Sequence, residues 1–327
     1  MKLPLIAQEL IVQKMNFLDL LRLCMKSTRF KRHLELLKLP VCSLHLFVTK
    51  EFYGISIIRN RDSSYIETSD SVPVDTITEL VNIQRKPMEI LKNGKVELKV
   101  KSNLSKLATM ETIVKYILSF SKVAKYSLKY DDTETDIRSL FIWQLATKLD
   151  EFNISPYYGI TISPEILAFI LDDVSIKCLF LNVSCPGFKY QRPIRHPVIN
   201  IKCPSWIDFD QFSLGPKTIT ADFSDQKVSN AILNRLIKDW AEGKCPKLRK
   251  VEFTWRDNNL ENLAMAQEYA TRPPKPVLPN RSIEQLKGLS INHQMKHRFW
   301  AHSVYYELRL SVEKYSGLNG IHLDDRN

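Results

Sequence analysis

The stretch LPLIAQELIVQKMNFLDLLRLCMKSTRFKRHL, Leu3 to Leu34, decides how the chain begins. Leu3-Pro4 is followed by apolar residues at helical spacing: Ala7, Leu10, Ile11 and Met15. Phe17, Leu18, Leu20, Leu21, Leu23 and Met25 continue the pattern around Asp19, and Ser27 precedes the basic residues Arg29, Lys31 and Arg32. The periodicity predicts helices up to Leu39-Pro40, because proline disfavours helix in the residue before it. The segment is too short to bury a core alone, yet it carries more apolar surface than one helical face needs. A hairpin of this kind is built to dock, against its own chain or against another protein. A generic amphipathic cap on a larger domain is the plainer alternative, since periodicity reports burial and not the partner.

Beyond Pro40 the period changes. Ser43–Val48 and Tyr53–Ile58 read as strands, with Asn60 to Ser64 as a turn and Asp70 to Val74 as a loop. Thr76 to Ile83 reads as a short helix, and Asn93-Gly94 as a hairpin turn before a strand over Val96–Val100. Helices are then expected over Leu107–Phe120, Thr135–Phe152, Pro164–Leu171 and Ser229–Gly243. Strands are expected over Ala124–Tyr130, Ile176–Val183, Val198–Ile201, Thr218–Phe223 and Leu248–Trp255. Strand after helix points to parallel strands joined by crossovers. The fold class expected is α+β or α/β: an all-helical N-terminus followed by an irregular, leucine-rich-repeat-like α/β stack. A conventional layered α/β domain is the alternative.

The 327 residues are 44% hydrophobic and 25% charged, an ordinary globular balance with room for two cores or one large one. Nine glycines leave no glycine-rich loop of the nucleotide enzymes. A net charge of +11 suits an acidic partner or nucleic acid, but the basic residues are spread without a long run, as on a solvated surface. No run of apolar residues is long enough to span a membrane. Gln8, Glu9, Gln13 and Lys14 interrupt any signal-peptide core. Cys24, Cys42, Cys178, Cys185, Cys203 and Cys245 are scattered without a CxxC. This leads us to expect reduced thiols and a cytoplasmic or nuclear protein.

The N-terminal order of residues resembles the F-box. There Leu-Pro opens the first helix, an Ile-Leu pair follows (here Ile11-Val12), and a Leu precedes a turn (here Met15). An Asp-Leu-Leu begins the next helix, here Asp19-Leu20-Leu21, and a Ser precedes a basic tail, here Ser27. The chain departs from the pattern at Ile6, where an acidic residue is usual, and at Lys26, where a small or apolar one is usual. A second stretch, Asn234 to Phe253, is similar to the centre of the type 2 F-box-associated domain of nematode F-box proteins. A helix ends at Trp240, Gly243 and Pro246 form a turn, and Leu248 leads into the strand Val251–Phe253. Leu233, Leu236, Ile237 and Trp240 fall at helical spacing, and Gly243 sits where a helix commonly needs a left-handed residue to stop. Any helix-turn-strand unit of an α/β protein fits the same residues. Arg272, Ile283, Gly288 and Ile291 match the family's linker and its entry to a terminal strand pair. The usual double glycine and Asp-Gly turn are missing, and Trp300-Ala301 stands where the hairpin should be.

The resemblance implies an F-box over residues 1–40 and a substrate-recognition domain over 41–327. It implies a non-enzymatic adaptor that binds the Skp-family subunit of a cullin ubiquitin ligase, with no cofactor, and holds an unknown protein target. The docking residues it implies are Leu3, Pro4, Leu10, Ile11, Met15, Leu20, Leu21 and Leu23. For the target, the loop Gly187 to Pro197 is the leading candidate. It combines Phe188, Tyr190, Arg192 and Arg195, and aromatic residues with arginine are enriched among interface hot spots. The same loop, with Lys189 and His196, would also suit nucleic acid, and a merely solvated loop is the plainer reading. The two alternatives to an adaptor are a basic nucleic-acid-binding protein and a repeat-type interaction protein without a ligase role.

The remaining chemistry is sparse. His293, His297 and His302 lie close in sequence without a nearby cysteine, so no metal site is expected. Neither GxSxG nor GxxxxGK[ST] occurs, so neither a nucleophile elbow nor a phosphate loop is expected.

Overall fold

The computed structural model describes residues 5–69, 79–93, 97–154, 159–202, 204–208, 218–223, 235, 250–256, 289–300 and 303–314. The chain divides into two compact units, residues 1–160 with 174–178, and residues 161–173 with 179–327.

The first unit opens with three helices, α1 (Leu5–Lys14), α2 (Phe17–Lys26) and α3 (Thr28–Leu37). Asn16 caps α2 by accepting from the Leu18 N–H at 2.8 Å, and Ser27 caps α3 by accepting from the Phe30 N–H at 3.2 Å. Lys38 ends α3 in the left-handed region, φ 48°. On α2, Phe17, Leu18, Leu20, Leu21 and Cys24 point inward. Each fully buried leucine contributes about 1.5–3 kcal/mol.

The strands of this unit are β1 (Leu39–Val41), β2 (Ser43–Thr49), β3 (Tyr53–Arg59), β4 (Asp62–Thr68), β5 (Glu79–Ile83), β6 (Lys86–Asn93), β7 (Glu97–Ser102), β8 (Ser121–Val123), β9 (Tyr126–Asp131) and β10 (Leu149–Ile154). Their order in the main sheet is β10-β9-β2-β3-β4-β7-β6-β5, while β1 pairs with β8. One face carries Leu44, Leu46, Ile55, Ile57, Ile66, Leu98, Val81 and Ile83, all buried. Helix α4 (Lys106–Phe120) lies on β3, β4 and β5, and Phe120 stacks on Phe17 with ring centroids 6.3 Å apart. The N-terminal helices thus share a core with the sheet, and residue 40 lies inside this unit.

The expected helix over Thr76–Ile83 is corrected. Glu79–Ile83 is the edge strand β5, and it turns into β6 through Gln84 (φ 50°) and Arg85 (φ 66°). Two consecutive positive φ values make the tight turn that matches strand twist. Asn60 and Arg61 do the same between β3 and β4, so Ser63 and Ser64 lie in β4 and not in a loop.

The expected helix over Thr135–Phe152 is also corrected. Tyr130 Oη donates to the Thr135 carbonyl at 2.5 Å, a tight 3-10 turn covers Ile137–Ser139, and only Ile142–Leu145 is α-helical. Leu149–Ile154 is then β10, paired parallel with β9, where Leu149, Phe152 and Ile154 are buried. Pairing with an existing strand outweighs a helical apolar spacing that has no partner to face.

The second unit contains β11 (Ile160–Thr161), β12 (Ile176–Ser184), β13 (Val198–Lys202), β14 (Thr218–Phe223), β15 (Lys250–Arg256), β16 (Leu289–Trp300) and β17 (Ser303–Lys314). Ile160 and residues 176–178 are counted in the first unit. The order runs β12-β13-β14-β15-β17-β16. β13, β14 and β15 are parallel, as the alternation of strand signals predicts, while β15, β17 and β16 are antiparallel. The terminal hairpin turns where the sequence places it, with Trp300 opposite Ser303. Residues 164–173 are an α-helical turn, Pro164–Ala168, continued by a π-helical turn, Phe169–Asp173. The helix expected over Ser229–Gly243, with Trp240 and Gly243, lies outside the described residues apart from Arg235. The chain is therefore a mixed α/β protein with extensive sheet and few helices among the described residues.

Candidate functional site

The residues proposed for docking separate into two groups. Leu20 and Leu21 are fully buried and hold the helices together. Leu10 (55% exposed), Ile11 (49%) and Leu23 (39%) are surface residues, and Met15 is half-buried. Leu3 and Pro4 lie outside the described residues. On α1, then, Val12 turns into the core while the adjacent Leu10 and Ile11 remain in solvent.

The helix bearing them is fixed from below. Arg59, 4% exposed at the end of β3, donates through Nη2 to the Val12 carbonyl and through Nη1 to the Met15 carbonyl, each at 3.0 Å. Asn60 Nδ2 donates to the Gln13 carbonyl at 3.2 Å. These are carbonyls at the end of α1, where no intrahelical N–H reaches them and the helix dipole is negative. Burial pulls the Arg59 pKa down and the Asp62 carboxylate opposes that, but the guanidinium remains charged. Arg59 has no signal in the helical stretch itself. Its trace in sequence is an arginine at an inward position of the apolar strand Tyr53–Arg59.

Helix α2 is tied at its outer side. Arg22 and, at 3.2 Å, Lys26 both pair with Glu79 at the start of β5. Lys26, which departs from the F-box pattern, therefore has a structural role here. Lys31 lies 4.7 Å from the centre of the Tyr116 ring and pairs with Glu35 at 3.0 Å. Burial pushes the Cys24 thiol up to about 12, so it is an inert core residue and not a nucleophile.

The loop Gly187 to Pro197, in the second unit, is an anchored loop. Tyr190 is buried. Its hydroxyl donates to Asp172 Oδ1 at 2.7 Å, and its ring packs edge-on to Trp206 at 6.4 Å. Burial raises the Tyr190 pKa, and the hydrogen bond to Asp172 adds to the effect. Ile194 and His196 are also buried, and His196 Nε2 lies 2.9 Å from the Ile170 carbonyl in the π-helical turn. A carbonyl only accepts, so Nε2 carries the proton. Arg192 reaches back to Asp172 Oδ2 at 2.7 Å while staying largely exposed, Arg195 is exposed, and Phe188 is half-buried. The structure thus removes Tyr190 from the recognition set and makes it the loop's anchor. Phe188, Arg192 and Arg195 remain at the surface.

One further polar cluster is complete within itself. The Asp132 carboxylate, buried after β9, accepts from the Tyr53 hydroxyl, from Thr135 Oγ1 at 2.7 Å and from the Glu134 N–H at 2.9 Å. Burial would raise its pKa, but these hydrogen bonds hold it below the ordinary carboxylate value. These bonds lock the turn that follows β9. Among the described residues, no group of three or more His, Cys, Asp or Glu is placed to hold a metal. His293 and His297 lie on β16 and not on a helix. No helix among those residues is long and apolar enough to cross a membrane. No family model matches the chain, and no curated protein matches it.

Proposed function

We propose that the chain is a non-enzymatic substrate-recognition adaptor of a Skp–cullin–F-box ubiquitin ligase, working in the cytosol or nucleus. Residues 1–40 act as the F-box and bind the Skp-family adaptor. Residues 41–327 act as the associated recognition domain and hold a protein target. The observation that carries this reading is the exposure of Leu10 and Ile11 on a helix whose Val12 is buried and whose last turn is held by Arg59. The resemblance of the stretch Leu3 to Leu34 to the F-box gives that surface its partner. The parallel run β13, β14 and β15 supports a leucine-rich-repeat-like reading of the second unit. Phe188, Arg192 and Arg195 on the anchored loop are the residues we assign to the target. Loops held on a rigid scaffold commonly carry recognition.

The test is titration calorimetry of the full chain against a purified Skp-family adaptor. Saturable one-to-one binding that disappears in the folded variant Leu10→Asp/Ile11→Asp is the expected result. An adaptor that gives no heat with the wild-type chain, or binds the variant equally well, overturns the reading.

A further inference from the structure

The sheet of the first unit ends in an edge that is ready to accept another strand. β5 pairs only with β6 among the described residues. The turn Gln84-Arg85 makes Ile83 and Lys86 the closing pair, so hydrogen-bonded pairs recur at Val81–Met88 and Glu79–Ile90. The residues between them, Leu80 and Asn82, direct their backbone N–H and C=O groups to the outer side of the sheet. Pro87 confirms this phase. It stands opposite Asn82 and has no N–H to give, which is tolerable only where the pair is not hydrogen-bonded.

Edges of this kind are usually blunted by lysine, proline or a bulge at the outward positions. Here those positions are Leu80, 73% exposed, and Asn82, also exposed. The surroundings are cationic at both ends. Arg22 and Lys26 converge on Glu79 at the start of β5, and Arg85 lies in the turn at its end. Glu89, opposite Leu80 on β6, stands beside Lys101 of β7 in the sheet register. Glu79 and Glu89 are thus outnumbered by Arg22, Lys26, Arg85 and Lys101. A second copy would bring the same cations to the same edge, on a chain that already carries +11. A strand of opposite charge meets no such repulsion.

We propose that β5 is a strand-addition site for an extended acidic segment of a partner protein. The segment's backbone would pair with Leu80 and Asn82. An apolar side chain would lie on Leu80, and flanking carboxylates would face Lys26 and Arg85. Main-chain pairing supplies the affinity, and the charges supply the selectivity. The site is independent of what docks on α1.

The experiment measures fluorescence polarisation of a labelled peptide, Glu-Val-Glu-Leu-Glu-Val-Glu, titrated with the full chain. The expected result is saturable binding that weakens with salt and is absent for the same pattern with lysine in place of glutamate. Asn82→Pro removes an outward N–H and blocks the edge without touching the β6 ladder. It should weaken binding by about tenfold or more at an unchanged melting temperature. Where the proline lowers the melting temperature, Leu80→Glu serves as the second variant, because its carboxylate repels the acidic peptide, with the same loss expected. Failure of the wild-type chain to bind the acidic peptide overturns the proposal, as does equal binding by the blocked variants or by the lysine peptide. A dimer in sedimentation equilibrium that Leu80→Lys dissolves also overturns it, in favour of a second copy at this edge.

Discussion

The carbonyl of Val12, in the last turn of α1, accepts a hydrogen bond at 3.0 Å from the guanidinium of Arg59 on β3. The two residues are 47 positions apart in sequence, and the bond is buried. A cation at a helix C-terminus interacts favourably with the dipole, and in this position it also satisfies carbonyls that water does not reach. Arg59→Ala should therefore cost about 2–4 kcal/mol of unfolding free energy in urea titrations. The loss should include hydrogen-exchange protection of α1 amides. Arg59→Lys should recover little, because one ammonium cannot serve the Val12 and Met15 carbonyls in the fork geometry of Arg59. An Arg59→Ala protein as stable as wild type would contradict the role given to this side chain.

The docking residues predict two distinct phenotypes. Leu20→Asp or Leu21→Asp places a carboxylate where the side chain has no exposure, so the helices should unfold cooperatively with their core. Lost binding in those variants says nothing about an interface. Leu10→Asp/Ile11→Asp alters positions already half in water, and its melting temperature should stay within a few degrees of wild type. Its affinity for the adaptor should nevertheless fall by about a hundredfold or more, because carboxylates would be trapped at an apolar contact. Circular dichroism melts beside calorimetry separate the two outcomes.

How much of this was legible in sequence follows from which forces are local. The break at Leu39-Pro40 and the strand signals of β2 and β3 are local, and the structure has them where the sequence places them. Glu79–Ile83 was not legible as a strand, because Gln84-Arg85 lacks the glycine or asparagine that usually marks a two-residue turn. Thr135–Phe152 misled because its apolar spacing fits a helix, and only the presence of β9 beside it favours a strand at Leu149. The docking residues proposed from sequence form one set, and sequence does not divide them into core and surface. Leu20 and Leu23 look equally apolar, and the packing of α2 on α3 and β5 decides which one faces water. Tyr190 looked like a recognition residue because aromatic content alone does not report that Asp172, distant in sequence, will accept its hydroxyl proton.

Asp132 gives a pH dependence with a defined sign. Its folded pKa is held below the unfolded value of about 3.9 by bonds from Tyr53, Thr135 and the Glu134 N–H. The unfolded chain therefore binds the proton more readily than the native one. The contribution of Asp132 is complete above the unfolded pKa and is lost as pH falls through the lower folded value. Wild-type stability should decline below about pH 4, and Asp132→Asn should flatten that part of the decline while lowering stability at neutral pH. Guanidinium titrations at several pH values check this. Parallel curves for the two proteins would mean that the Asp132 bonds do not bias its ionisation.

Gly54 carries the last prediction. It is the second residue of β3, in a strand, where glycine is ordinarily unfavourable, and its neighbour in β4 register is Glu67. The reason lies above it. A Cβ at residue 54 would stand 2.5 Å from Tyr65 Oη, 2.9 Å from Tyr65 Cζ and 3.2 Å from the Ile66 carbonyl oxygen. The Tyr65 ring crosses the strand at this point and meets Phe47 and Phe52 edge-on, with centroids 6.0 and 6.2 Å away. Moving it aside disturbs both contacts, and the Ile66 carbonyl is backbone that cannot swing away. Gly54→Ala should therefore destabilise the first unit by about 1–3 kcal/mol, although alanine is the better strand residue in the abstract. Tyr65→Ala should itself be destabilising, since it empties the place between two rings. In the double variant Gly54→Ala/Tyr65→Ala the alanine no longer meets the ring. The combined loss should therefore be smaller than the sum of the single losses, by about 0.5–3 kcal/mol in a double-mutant cycle. Strict additivity in urea unfolding would show that the ring and the glycine are not coupled.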